Sequence, residues 1–97
     1  MQKHIKIYLD YFDIGETDTW YCEGCMREFP INNGLTVHHI NGRGPGKDNI
    51  KNLMCLCLRE KGCHNRAHGS IYPVSKDEFQ LIHNYFLQGQ RKAFLKS

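Results

Sequence analysis

Two histidines stand side by side at the end of the apolar run "LTVHHI", and two more, His64 and His68, sit four residues apart in "CHNRAH". Imidazole is both a common metal ligand and an acid–base group near neutral pH. A spacing of four puts His64 and His68 on one face of a helical turn, a ready two-point chelate. Five cysteines are interleaved with these histidines. Cys22 and Cys25 have the spacing of a zinc knuckle, with Gly24 inside the turn. A structural zinc site needs four such donors. The second pair must come from Cys55, Cys57 and Cys63, and we take Cys57 and Cys63, which are separated by "LREKG". Cys55 shares an alternation face with Cys57. It is read as a small buried hydrophobe, and its exchange with one of the chosen ligands stays open. A two-cysteine, two-histidine finger built on Cys22, Cys25 and His38 would need its fourth ligand at 42 to 44. Those positions are Gly42, Arg43 and Gly44, so that reading fails.

The elements that must carry these residues are short. "HIKIYLDYF" alternates Ile5, Ile7 and Leu9 with polar partners and is expected to be an N-terminal strand. "LTVHHI" reads as a β-branched strand entered through the turn "INNG". "NGRGPGKDN" is a loop, because Gly42, Gly44, Pro45 and Gly46 break regular structure. "IKNLMCLCL" is a strand or a buried connection. The clearest helix spans about 75–95. Ser75 and Glu78 fit a capping box, and Val74 and Phe79 fit a hydrophobic staple. Phe79, Ile82, Phe86 and Ala93 form its apolar stripe, with Leu81 and Tyr85 beside it. Adjacent strand residues point to opposite faces. The strand must therefore end or distort at His38–His39 if both rings are to serve one site.

Composition sets the limits. A chain of 97 residues, 40% hydrophobic, has room for one domain, 1–97, with a modest core. A structural metal is a usual staple for so small a core. No apolar run is long enough to span a bilayer, and "MQKHIKIYLDYFDIG" lacks the pattern of a signal peptide. Thiols beside histidines, without an export signal, fit a reducing compartment and metal-bound thiolate. A cytoplasmic location and no membrane partner are expected. The net charge of +3 permits an anionic partner without identifying one.

Taken together, "CEGC", "VHHINGRG" and "NLMCLCLREKGCHNRAH" resemble the HNH endonuclease family of the ββα-metal (His-Me finger) fold. The pattern of Asn52-Leu53, Leu56-Cys57 and Cys63-His64 is similar to the family's, apart from three extra residues between the cysteines. The His64-to-His68 spacing resembles the DNase-type colicins of that family. The motif core runs from 22 to 68. The resemblance implies an α+β domain with a zinc knuckle pair, to which the N-terminal strand and the C-terminal amphipathic helix are added.

The same resemblance implies a metal-dependent DNA endonuclease that hydrolyses phosphodiester bonds. His39 resembles the general base. His38, His64 and His68 resemble the ligands of one divalent ion on the scissile phosphate, whether Mg2+, Mn2+, Ni2+ or Zn2+. The four cysteines would hold a structural Zn2+. Asn52 resembles the central asparagine that ties the loop and orients His39, with Asn49 as runner-up. Arg43, Lys47 and Arg66 are the candidate contacts to nucleic acid, and such contacts reach phosphates without reading sequence. The partner implied is double-stranded DNA with weak sequence preference. The source implied is a phage, a mobile element or a bacterium. The alternative is a zinc-containing nucleic-acid-binding module that keeps the scaffold and does no chemistry. His4 and His83 have no partners in the pattern and receive no role.

Overall fold

The computed structural model describes residues 2–58, 64 and 75–89. Its first element is a helix, α1 (Lys3–Phe12), where alternation predicted a strand. His4, Tyr8 and Leu9 are buried, and Ile5 and Phe12 are half-buried. Positions 4, 5, 8, 9 and 12 recur at helical spacing and lie on one face. The alternating Ile5, Ile7 and Leu9 share apolar residues with that stripe. The polar tips of His4 and Tyr8 hid the longer period. Asp13, in the left-handed region at φ 56°, terminates the helix, and the next amide, Ile14 N, donates to Leu9 O.

Two antiparallel hairpins follow. In the first, β1 (Thr19–Tyr21) pairs with β2 (Glu28–Pro30), with Trp20 opposite Phe29. The Cys-x-x-Cys segment is the connection between these strands. Cys22 N donates to Arg27 O, and Met26 N donates back to Cys22 O. The left-handed residue of that turn is Met26, at φ 60°.

The second hairpin carries the chemistry. β3 (Leu35–His39) pairs with β4 (Leu53–Cys57) in unbroken register from Leu35 opposite Cys57 to His39 opposite Leu53. All five residues of β4 are buried, which explains why that segment reads as a continuous apolar run without alternation. α1 packs on both strands. The long connection closes through a 3-10 turn, Ile50–Asn52.

Helix α2 (Lys76–Leu87) packs against that 3-10 turn. Its start is as expected: Ser75 Oγ accepts from Glu78 N at 3.2 Å. Phe79, Ile82 and Phe86 are buried together with His83, whereas Leu81 is exposed. The helix is shorter than the expected 75–95, because it ends at Leu87 and Gly89 takes φ +81°. Val74 and Ala93 lie outside the described residues. The described chain is thus a small α+β structure of two helices and two antiparallel hairpins. No helix among the described residues is long and apolar enough to cross a membrane.

Candidate active site and metal centre

The first hairpin loop and the end of β4 bring Cys22, Cys25 and Cys57 together. All three are buried, and their sulfurs lie within 4.8 Å of one another. Thiolates sharing a tetrahedral zinc, with Zn–S near 2.3 Å, stand about 3.8 Å apart, so the trio fits such an ion. Cys63, the expected fourth ligand, lies outside the described residues. Cys55 is buried but is not part of this cluster. Burial, the Glu23 carboxylate and Cys57 push its thiol well above the ordinary range, which keeps it protonated.

Behind the thiols sits a polar node. Glu23, between the two knuckle cysteines, is fully buried. Its Oε2 accepts from Tyr8 Oη at 2.5 Å and from Cys55 N at 3.0 Å. Its Oε1 accepts from His83 Nδ1 at 2.5 Å. His83 Nε2 donates to Ile50 O at 2.5 Å. Both ring nitrogens of His83 therefore face acceptors, so the ring carries two hydrogens and a positive charge. Burial works against that charge, but the hydrogen bond and the charge of Glu23 outweigh it, and the His83 pKa is raised. His83, with no role in the sequence pattern, clamps α2 to the knuckle and to the 3-10 turn. The signal could not be read locally, since Glu23 and His83 are 60 residues apart.

The other end of the β3–β4 hairpin opens into a cleft of about 820 Å³. His38, His39, Arg43 and His64 all line it, as do His4 and Lys76. Pairing of β3 is regular through both His38 and His39, and Ile40 N still donates to Asn52 O, so the distortion expected between the two histidines is absent, yet both residues border the one cleft. His64 has helical backbone, and its ring centroid lies 5.5 Å from that of His38. Two imidazoles on one tetrahedral ion, with metal–nitrogen bonds near 2.0–2.1 Å, have centroids about 5 Å apart, so this pair fits a shared ion. His68 and Arg66 lie outside the described residues. Lys47 does not line the cleft. It borders a separate polar notch with Asn49, Lys51 and Gln80.

His39 is the buried member of the pair. Its Nε2 donates to Asp48 Oδ1 at 2.7 Å, and His4 lies against its ring at 4.5 Å between centroids. That hydrogen bond holds the Asp48 carboxyl below its usual range. Burial, then repulsion from His39 and Arg43, lowers the pKa of His4. Asn52 pins the loop beneath. Its Oδ1 accepts from Asn41 N at 2.8 Å, and its Nδ2 donates to Lys47 O at 2.9 Å and Gly42 O at 3.2 Å. Among the described residues the Asn49 side chain bonds only locally, to Gly46 O and from Lys51 N.

The sequence model of the HNH endonuclease family matches residues 22–70, half of the chain, and covers both the thiol cluster and the histidine cleft. The chain belongs to the HNH endonuclease family. No curated protein and no solved structure matches it. HNH membership gives the chain a nuclease-type character at family level and nucleic acid as its class of partner. The HNH match ends at residue 70 and begins at Cys22, so α1 and α2 are additions to the HNH motif in this chain. Those additions supply His4, Lys76 and His83, which the motif alone did not reveal. Asp48 was also missed, although it is the only acidic residue between Glu28 and Glu60.

Proposed function

We infer that the protein is a metal-dependent DNA endonuclease in which His39 is the general base. The observation that supports this most is the convergence of His38, His39 and His64 on one cleft whose rim also carries Arg43 and Lys76. His38, His64 and His68 would hold a divalent ion, and Cys22, Cys25, Cys57 and Cys63 a structural zinc. A divalent ion bound there would polarise the scissile phosphate and stabilise the departing oxygen. The rest falls to the protein. Arg43 and Lys76 draw the DNA backbone into the cleft by charge. His39 takes a proton from a water molecule whose oxygen then bonds to phosphorus. The bond from phosphorus to the leaving oxygen breaks with its electron pair, and that oxygen takes a proton from solvent. With both residues bordering the cleft, one histidine can serve the ion while its neighbour serves the water.

Plasmid cleavage with magnesium, manganese, nickel and zinc in turn tests the activity. His39→Ala should remove most single-turnover cleavage, roughly 100- to 10,000-fold, with metal and DNA affinity nearly intact. His64→Ala should instead raise the metal concentration needed, and excess metal should recover part of the rate. Near wild-type cutting by His39→Ala would remove the base assignment. Wild-type protein that binds DNA but cuts it with none of these metals would make the non-catalytic binding module the correct reading.

A further inference from the structure

Asp48 sits where a carboxylate works against the protein's own partner. It is the only acid between Glu28 and Glu60, on a segment that carries Arg43, Lys47 and Lys51. On a surface that meets polyanionic DNA, such a charge weakens binding. Its placement answers to the histidine beneath it. Asp48 Oδ1 accepts from His39 Nε2 at 2.7 Å, and the His39 side chain is only 5% exposed. His4 covers the ring on one side at 4.5 Å. The backbone that carries Asp48 is itself fixed, because Asn52 Nδ2 binds the carbonyl of Lys47, the residue before it.

We propose that Asp48 is a positioning residue for the hydrolytic reaction, holding the hydrogen of His39 on Nε2 so that Nδ1 presents the lone pair to water. The proposal rests on the reading of His39 as the base. A neutral imidazole carries one hydrogen, and a carboxylate on Nε2 selects that tautomer. No described residue bonds Nδ1. When Nδ1 has taken the proton of water, the ring becomes a cation facing the Asp48 carboxylate, which stabilises it. Asn52 then acts on His39 through Asp48, by fixing the loop at Lys47, without touching the ring.

The test uses the full chain with its metals and compares Asp48→Ala, Asp48→Glu and His39→Ala. Single-turnover cleavage at saturating metal should fall at least about 10-fold in Asp48→Ala, the lower end of the loss when a hydrogen-bond partner that fixes a functional imidazole is removed. DNA affinity should stay equal or rise, because a repulsive charge has gone. Asp48→Glu, with a longer arm from an exposed loop, should recover several-fold of the lost rate. Long-range proton–nitrogen NMR on His39 should show hydrogen on Nε2 in the wild type and a mixture of tautomers in Asp48→Ala. A merely structural role would leave the hydrogen on Nε2 in Asp48→Ala, as in the wild type. The proposal is overturned if Asp48→Ala cleaves within about threefold of wild type while His39→Ala is inactive, or if its whole loss lies in DNA affinity. If His39→Ala itself cleaves normally, the base assignment fails first, and the NMR result then decides only whether Asp48 sets the tautomer.

Discussion

Replacing His83 by alanine should be among the most damaging single changes outside the cleft. The imidazolium is fully buried and bonded on both sides. Its removal leaves the Glu23 carboxylate without its counter-charge in a site with no access to water, and deprives Ile50 O of its donor. Breaking a buried pair from one side costs about 3–5 kcal/mol. In a domain of this size each kcal/mol lowers the melting point by about 4–8 °C, so a fall of at least about 12 °C is expected. Glu23→Gln should be far milder, about 1 kcal/mol, because a neutral arrangement is available. The glutamine amide can donate to His83 Nδ1, its oxygen can accept from Tyr8 and Cys55, and His83 can keep its remaining hydrogen for Ile50. Chemical denaturation with zinc present reads both variants. The pH dependence has a definite sign. His83 has a raised pKa in the fold, so its contribution is fully present below about pH 6.5, the unfolded value, and is lost as pH rises through the raised folded value. The wild-type advantage over Glu23→Gln should therefore shrink from pH 6 towards pH 9. If Glu23→Gln were as damaging as His83→Ala, or if the advantage grew with pH, the ion-pair assignment would be refuted.

Other outcomes follow from the same geometry. Serine at Cys22, Cys25 or Cys57 should abolish tight metal binding, measured by elemental analysis of purified protein, whereas Cys55→Ser should keep the metal. Asn52→Ala removes three side-chain hydrogen bonds at once, so it should cost about 1–3 kcal/mol and speed tryptic cleavage at Arg43 and Lys47. Gly34→Ala should destabilise more than Gly42→Ala, as judged by denaturation midpoints. Both have positive φ, but a Cβ at Gly34 would lie 3.0 Å from Phe29 Cδ1, and one at Gly42 meets nothing within 4 Å.

Much of the second hairpin was legible because its signals are local. "LTVHHI" is β-branched and leads into a glycine turn, and β3 covers Leu35–His39, although the break expected at the two histidines is not there. The capping serine of α2 was equally plain, since cap and amide are three residues apart. The N-terminal helix was not, because an alternating and a helical stripe share Ile5 and Leu9, and burial of His4 and Tyr8 decides between them. β1 and β2 have three residues each, too few to show a period. The partners of Glu23 and His83 are set by packing between elements distant in sequence, and no window of residues contains both. Asp48 lies nine residues from His39, at the far side of a glycine-rich loop whose path sequence does not specify.

The pairing of β3 with β4 also has a consequence for fidelity of assembly. A slip of one residue in this ribbon would turn every side chain to the opposite face. Such a slip would exchange His38 for His39, placing the wrong imidazole beside Asp48 while keeping the composition of the cleft. The ribbon is keyed at both ends against this. At one end Leu35 lies opposite Cys57, whose sulfur belongs to the thiol cluster. At the other, Ile40 N donates to Asn52 O, and Asn41 N donates to the Asn52 side chain. Seen this way, the thiol cluster works as an indexing pin three residue pairs from His38 and four from His39, and its purpose reaches beyond holding a small core together. Mis-indexed chains would keep every side chain of the cleft but present them on the wrong faces, so correct strand alignment is a separate requirement from correct composition.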